Sequence, residues 1–208
     1  MKVWISILVI YSSFFIWYTD LGGKLNNDEI QSFLGQLEEN ALKDSRPLDE
    51  SMQAGLKVFM EQDSGKQFIM VNNLDMSENP TFSDGSLSEQ SADDLMNQYM
   101  EHMYPELFKR ASHPVFFASV IHSALDVVGI DNAKTWDTAA LFRYKSRRAF
   151  MEIVTNPNIK GSHEFKIAAL DKTIAYPVEP QLYLGDPRMI LGFLLLIIGL
   201  LLRPITRR

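Results

Sequence analysis

Two stretches without charge, one near each end of the 208-residue chain, constrain its fold most. Residues 3–18 and residues 189–202 contain no acidic or basic side chain. The second stretch is apolar on every helical face, whereas a helix of a globular protein normally keeps a polar face. We therefore expect a membrane anchor at residues 1–20 and a transmembrane helix at residues 187–203, with a buried core helix as the alternative for the latter.

The lengths and flanks of these stretches leave a second alternative open. Sixteen helical residues span about 24 Å, slightly less than a hydrocarbon core of about 30 Å, and Trp17 and Tyr18 would extend the first segment as an interfacial aromatic pair. A cleaved signal peptide would end in small residues, which are missing from the exit Trp17-Tyr18-Thr19-Asp20. At the second segment Asp186 can cap a helix and Pro187 suits its first turn. An uncleaved anchor is the favoured interpretation of the first segment.

Basic residues at the two ends predict the orientation of the chain. Lys2 precedes the first segment, while Arg203, Arg207 and Arg208 follow the second. The positive-inside rule then places both termini in the cytoplasm and the middle domain outside it, in the periplasm of a bacterium. We thus expect a membrane as one partner.

Charge and cysteine content exclude several classes of protein. The net charge is −6, and no basic stripe interleaved with aromatic residues is present, so a nucleic-acid partner is not expected. The chain has no cysteine, which excludes disulfides, thiolate nucleophiles and cysteine-type zinc sites. No phosphate loop, nucleophile elbow or HExxH motif is present, and we predict neither a cofactor nor a metal.

The middle of the chain predicts an α+β domain at residues 66–180. Residues 21–65 contain two amphipathic helices, at 26–42 and 47–62, which form either a stalk or an extension packed on the domain. The order that follows is strand, helix, strand, strand, helix, strand, which is the split βαβ or ferredoxin-like arrangement. The strands are expected at 67–74, 115–122, 136–144 and 173–178; the helices at 91–104, at 106–110 after Pro105, at 147–155 and around 163–170.

Four runs of residues carry a resemblance to a known superfamily. They are FIMVNNL, YMEHMYPELFKRASHPVFFASVI, TWDTAALFRYKSRRAFMEIVTNP and HEFKIAAL, within residues 66–180. This part of the chain resembles uncharacterised domains of the dimeric α/β-barrel superfamily, whose members include monooxygenases, isomerases, haem-linked enzymes and domains without a known reaction. The resemblance implies a homodimer paired through its sheets, with a cleft between sheet and helices in each protomer.

Six polar residues are the candidates for chemistry. On the predicted strand 136–144, Asp137 and Arg143 share a face. If that face lines a cleft, Asp137 could act as a base and Arg143 could hold an anionic group; the alternative is that both meet water at the strand ends. The histidines either contribute to a site or merely cap, hydrogen-bond or meet solvent, and a metal site built from distant histidines is a further alternative. An asparagine on a buried strand must find hydrogen-bond partners. These candidates are Asn72, His102, His113, Asp137, Arg143 and His163.

Two functional classes follow from these patterns. The first is a binding or structural module at the membrane surface, supported by the two apolar ends and the lack of a catalytic motif. The second is a small enzyme, such as a cofactor-free oxygenase or isomerase acting on a small organic molecule. A deep apolar pocket with convergent His102, His113 or His163 would favour the enzyme. A sheet face filled by side chains would favour the module.

Overall fold

The computed structural model describes residues 2–43, 49–160 and 162–202. These residues divide into two compact units, one made of Gly23–Glu179 and the other of the two ends of the chain. The elements, in chain order, are α1 (Lys2–Tyr18), α2 (Asn27–Lys43), α3 (Glu50–Glu61), β1 (Phe68–Met76), α4 (Ala92–Lys109), β2 (His113–Ser119), β3 (Thr138–Tyr144), α5 (Arg147–Val154), α6 (Pro157–Lys160), α7 (His163–Ala168), β4 (Leu170–Val178) and α8 (Pro187–Leu202).

The sheet of Gly23–Glu179 has four antiparallel strands in the order β2-β3-β1-β4. Together with the intervening helices this is the ferredoxin-like topology, so the predicted α+β architecture is confirmed. In the register of β1 with β3, Phe68 lies opposite Tyr144 and Asn72 opposite Ala140. Because side chains alternate along a strand, these four residues share one face of the sheet, and Arg143 lies on the other.

Local sequence signals explain where the helices begin. Ser91 caps α4 by accepting a hydrogen bond from the Asp94 N–H, and Ser146 caps α5 in the same way through Ala149. Pro105 was expected to start a separate turn, but α4 continues through it. Because proline has no N–H, the carbonyl of Glu101, four residues earlier, loses its helical hydrogen bond. Both residues lie on the exposed side of α4, where water can bind that carbonyl.

The helix-covered face of the sheet is filled by aromatic side chains. Phe68 and Tyr144 stack with ring centroids 5.2 Å apart, and Phe150 of α5 meets both edge-on. Phe59 of α3 adds a further edge-on contact to Phe68. Helices α2 and α3, which precede the sheet in the chain, join this core, because their buried side chains pack against Met151 of α5. Both helices therefore belong to the same compact unit as the sheet.

A buried carboxylate fixes the entry to β1. Asp63 accepts hydrogen bonds from the Leu25 N–H (2.8 Å) and the Gly65 N–H (3.0 Å), and it lies 3.6 Å from the Arg147 guanidinium. Gly65 has a φ of +74°, and a Cβ there would meet the backbone of Gly23 at 3.1 Å. Glycine is thus required at this turn by both its dihedral angle and its close approach to the chain.

The second unit is a pair of helices. A Cβ at Gly199 of α8 would lie 2.6 Å from the Trp4 ring of α1, so this glycine permits the close approach of the two helices. At the other end of the seam, Arg188 donates to the Thr19 hydroxyl (3.1 Å) and lies over the Tyr18 ring. Many apolar side chains of both helices are exposed outside this seam.

The predicted membrane topology is wrong. Within the described ranges, no helix combines the length and the apolar character needed to cross a membrane. Helix α1 has 17 residues and α8 has 16, which correspond to about 25 Å and 24 Å, less than a hydrocarbon core of about 30 Å. This finding overturns the anchor at 1–20, the transmembrane helix at 187–203, and the localisation with cytoplasmic termini and a periplasmic middle domain. Arg203, Arg207 and Arg208, which supported the orientation, lie outside the described residues, as does Pro47 at the start of the second predicted helix.

Candidate functional site

Three titratable side chains from two helices meet beside the sheet. Tyr99 lies in the middle of α4, and the His163 ring at the start of α7 meets it edge-on with centroids 6.2 Å apart. Lys166, one turn further along α7, places its Nζ 5.9 Å from the centre of the Tyr99 ring. The three-residue spacing of His163 and Lys166 puts both on one side of α7, towards α4.

Tyr144 of β3 adds a fourth group to this set. It is almost completely buried, and the proximity of Tyr99 contributes electrostatically to its raised pKa. Tyr99 packs against the same apolar cluster that contains Tyr144. We call Tyr99, Tyr144, His163 and Lys166 the Tyr–His–Lys cluster.

Loss of hydration shifts the pKa of every member of the cluster, although only Tyr144 is almost completely buried, Tyr99 and Lys166 are half-buried, and His163 keeps an exposed part. Desolvation raises the pKa of Tyr99 to about 12 and raises that of Tyr144 further, chiefly for the same reason. Burial lowers the pKa of Lys166, and it lowers the pKa of His163 with an added contribution from the Lys166 charge. At neutral pH the cluster thus offers two phenol O–H donors and an imidazole biased towards its neutral form, next to an ammonium that releases its proton more readily than usual.

The members of the cluster have few polar partners of their own. Among residues 2–43, 49–160 and 162–202, none of the four side chains makes a hydrogen bond or an ion pair, and their contacts are with rings and apolar groups. Buried polar atoms in proteins are normally satisfied. No described side-chain N or O is both fully enclosed and unsatisfied, so the polar atoms of the cluster keep some accessible surface. A ligand could therefore reach them.

Two of the six predicted residues lie on this side of the sheet. His163 belongs to the cluster itself. Asn72 lies on the helix-covered face, and its side-chain amide donates to the carbonyls of Met70 and Ala140, both at 3.2 Å. The Asn72 carbonyl oxygen receives no hydrogen bond from the described residues, and Asn72 lies four residues along β1 from Phe68, the residue that faces Tyr144.

The other four predicted residues are dispersed. His102 is exposed and lies 2.9 Å from the Gln98 carbonyl one turn earlier, while His113 bonds locally to the Pro114 carbonyl. Asp137 lies just before β3 at the end of the sheet, where its carboxylate accepts from the Met76 N–H at 2.6 Å. Arg143 is fully buried on the opposite face and donates to Gln67 and to the Ala111 carbonyl.

The remaining features of Gly23–Glu179 do not bring the histidines together. An open groove of about 750 Å³ between α2 and the ends of α4 and α5 is lined by mixed charges, including Asp28, Lys109 and Glu152, and by no histidine. No group of three or more metal-ligating side chains occurs in the part of the chain that the structure describes. Asp137 and Arg143, which the sequence places on one strand face but too far apart to pair, lie at opposite ends of β3.

Tyr99, Tyr144 and Lys166 were missed as site residues by the sequence reasoning. Tyr99 follows the helical spacing of an apolar stripe with Leu95 and Met103, so its position predicts core packing. The available signal was the pair of His163 and Lys166, three residues apart on a short helix with one polar side. Their meeting with Tyr99 depends on how α7 packs on α4, which no local pattern reveals.

Comparisons with known proteins support the fold. The chain is similar to RPA0582, a protein of unknown function from Rhodopseudomonas palustris, at 15% identity, covering 66% of this chain and 97% of that one with a TM-score of 0.52. Hydroxynitrile lyase from Passiflora edulis matches at 12% identity, 57% and 97% coverage and a TM-score of 0.36. A dimeric ferredoxin-like protein of unknown function from Jannaschia matches at 12% identity, 55% and 99% coverage and a TM-score of 0.33.

These likenesses are limited to the fold. No family model matches the chain, and no curated protein matches it in sequence. All three structural identities are low, and two of the TM-scores are too low to carry an argument. The chain therefore shares its α+β fold with a protein whose function is unknown.

Proposed function

We propose that the domain binds a small organic molecule that carries a carboxylate or another negatively polarised oxygen, and that the Tyr–His–Lys cluster recognises this oxygen. The observation that carries the proposal is the convergence of four titratable side chains that make no hydrogen bond and no ion pair with a described residue. Polar side chains that cluster for structural reasons usually hydrogen-bond to one another. Donors that lack such a bond and remain accessible therefore favour a ligand.

The chemistry of the cluster selects the type of ligand. Lys166 supplies a positive charge whose burial is not offset by an ion pair with a described residue, and Tyr99 and Tyr144 supply O–H donors. An acidic ligand would replace the hydration that these groups lose, through charge-assisted hydrogen bonds. The neighbouring side chains Met100 and Phe142 are apolar, which favours a ligand with an apolar or aromatic body.

A binding module is thus the function that the geometry supports best. The helix-covered face is filled by Phe68, Tyr144 and Phe150, and the three histidines that would have indicated a deep catalytic pocket do not converge. The idea that this module acts at a membrane surface loses its basis, because no described helix can span one.

An enzyme is the second candidate, and one observation favours it. Burial lowers the pKa of Lys166, so its amine is closer to the range in which it can accept a proton. With Tyr99 as a hydrogen-bond donor to a carbonyl oxygen, the amine could abstract a proton from the adjacent carbon. The ammonium that this forms would then return the proton to another carbon of the resulting enolate, which makes the overall reaction an isomerisation without a cofactor. Isomerase activity on small carbonyl compounds would therefore accompany binding.

We also propose that the domain works as a homodimer, as its resemblance to the dimeric α/β-barrel superfamily implies. Two sheets of this type can associate because the face of β4 away from the helices carries the exposed side chains Ile174 and Tyr176. Large exposed apolar side chains that lie together commonly mark an interface.

Matched ligands test the binding function. We would first identify molecules retained by the purified protein by mass spectrometry, and then titrate benzoate and benzamide by calorimetry. The two probes have the same ring but differ in charge. The proposal expects benzoate to bind and benzamide to bind at least about tenfold more weakly, as one charge-assisted hydrogen bond implies. Equal affinities, or binding that persists in Lys166→Met together with Tyr99→Phe, would contradict it.

A further inference from the structure

Two half-buried lysines of the sheet domain have contrasting surroundings. Lys172 of β4 lies 3.3 Å from the Asp75 carboxylate and donates a hydrogen bond to the Asn132 side chain. Lys166 of α7 makes no hydrogen bond or ion pair with any residue in 2–43, 49–160 or 162–202, and its Nζ lies 5.9 Å from the centre of the Tyr99 ring. The nitrogen of Lys172 is thus occupied, whereas that of Lys166 is left for a ligand.

The surroundings of Lys166 favour its neutral amine. Burial lowers the pKa of Lys166, because its ammonium loses hydration that no described carboxylate replaces. A neutral amine has a lone pair on nitrogen, and lysines desolvated in apolar sites serve as nucleophiles towards carbonyl compounds. A larger share of Lys166 than of an exposed lysine is therefore nucleophilic at neutral pH, about tenfold larger for each unit by which its pKa is lowered.

Two neighbours of Lys166 can move the protons that an attack on a carbonyl group requires. Burial raises the pKa of Tyr99 to about 12, so its O–H stays protonated and can donate to a carbonyl oxygen. His163, three residues before Lys166, meets the Tyr99 ring edge-on with centroids 6.2 Å apart. Burial lowers the pKa of His163, so its imidazole is largely neutral and can accept a proton. A donor, an acceptor and a nucleophilic amine therefore lie together.

We propose that Lys166 forms an imine with an aldehyde, with Tyr99 and His163 transferring the protons. The amine nitrogen attacks the carbonyl carbon; a C–N bond forms, the C=O π bond opens, and the oxygen takes a proton from Tyr99. His163 takes one proton from the nitrogen and passes it to the new hydroxyl group, which leaves as water while the C=N bond forms. The nitrogen then returns its remaining proton to Tyr99. The sum is aldehyde plus amine to imine plus water, with no oxidant or reductant.

The surroundings of the amine select an aldehyde with an apolar body. Met100 and Phe142 pack against the same apolar cluster as Tyr99. Apolar neighbours limit the access of the water that would hydrolyse an imine. An aldehyde carries only a hydrogen beside its carbonyl group on one side, so it fits next to a half-buried amine more easily than a ketone does. An aromatic aldehyde meets both conditions.

This inference rests on the proposed function for the position of the site, but it names a different chemical class of ligand. A carboxylate is held by the ammonium form of Lys166 and forms no covalent bond with it. An aldehyde reacts with the neutral amine. Both ligands need the same nitrogen, so a bound carboxylate should protect Lys166 from an aldehyde.

Trapping with a hydride donor tests for the imine in the full-length protein. Benzaldehyde has the ring of benzoate without its charge, and cyanoborohydride adds hydride to the C=N carbon, which leaves a stable benzyl group on the amine. Peptide mapping by mass spectrometry should find Lys166 labelled at least about tenfold faster than Lys172 and than the exposed Lys109. Benzoate at about ten times its Kd should slow the labelling of Lys166 about tenfold and leave that of Lys109 unchanged.

A second reagent separates proton transfer from access to the amine. Acetic anhydride acylates a neutral amine without a proton donor, so Tyr99→Phe should slow benzaldehyde labelling of Lys166 at least about tenfold while acetylation, relative to Lys109, and circular dichroism are unchanged. If the natural chain binds benzoate but benzaldehyde labels Lys166 no faster than Lys109, the imine is overturned and the proposed function stands. If Lys166 is labelled faster in a chain that does not bind benzoate, the carboxylate proposal is overturned and the imine stands.

Discussion

Replacing Lys166 by methionine should change stability and binding in opposite directions. Methionine keeps the unbranched apolar stem and removes the ammonium, which burial disfavours and which no described carboxylate pairs with. Removing an unpaired charge that is only partly desolvated gains about 1–2 kcal/mol, while losing the 5.9 Å contact with the Tyr99 ring costs about 0.5 kcal/mol. Lys166→Met is thus expected to raise the free energy of unfolding by about 1 kcal/mol.

The same substitution should remove the group that binds the ligand. Losing one charge-assisted hydrogen bond should weaken benzoate binding about tenfold to a hundredfold. Urea unfolding followed by circular dichroism measures the stability, and calorimetry measures the affinity. Lys109→Met, on the exposed side of α4, is the control and should change the free energy of unfolding by less than about 0.5 kcal/mol. A less stable Lys166→Met variant with unchanged benzoate affinity would refute the reasoning.

Three further predictions concern the fold. Asp63→Ala should lower the free energy of unfolding by about 3 kcal/mol in urea titrations, since it leaves the buried Leu25 N–H unpaired and Arg147 without this carboxylate; a loss below 1 kcal/mol would contradict this. Ser146→Ala should cost about 1–2 kcal/mol through the lost cap of α5, and Ser146→Asn should restore part of it. Between pH 10.0 and about 12, the unfolded chain ionises Tyr99 while the folded chain keeps it protonated, so stability should fall with pH by on the order of 2 kcal/mol, and the fall should be smaller in Tyr99→Phe.

The sheet domain could be predicted because its signals are local. Short apolar runs and apolar residues at helical spacing placed all four strands and the main helices within a few residues of their observed bounds. The error at Pro105 has a physical cause, because the lost hydrogen bond falls on the exposed side of α4. Local rules cannot tell whether water satisfies a helix carbonyl.

The ends and the site could not be predicted in the same way. The apolar composition of the two ends indicated spanning helices. Helices α1 and α8 have 17 and 16 residues, however, and composition alone does not give the length on which crossing a membrane depends. The Tyr–His–Lys cluster joins residues from α4, α7 and β3 that are far apart in sequence. The spacing of His163 and Lys166 on α7 was the one chemical signal available, whereas Tyr99 followed the pattern of a packed core residue.

The titration of Lys166 by NMR tests the central claim most directly. Lysine amines carrying ¹³C-methyl groups report their own pKa values, and the signal missing in Lys166→Met identifies this one. The account predicts a pKa below the usual 10.5 in the free protein, which rises when benzoate is added, because a bound carboxylate stabilises the ammonium. An ordinary pKa that benzoate leaves unchanged would contradict the account.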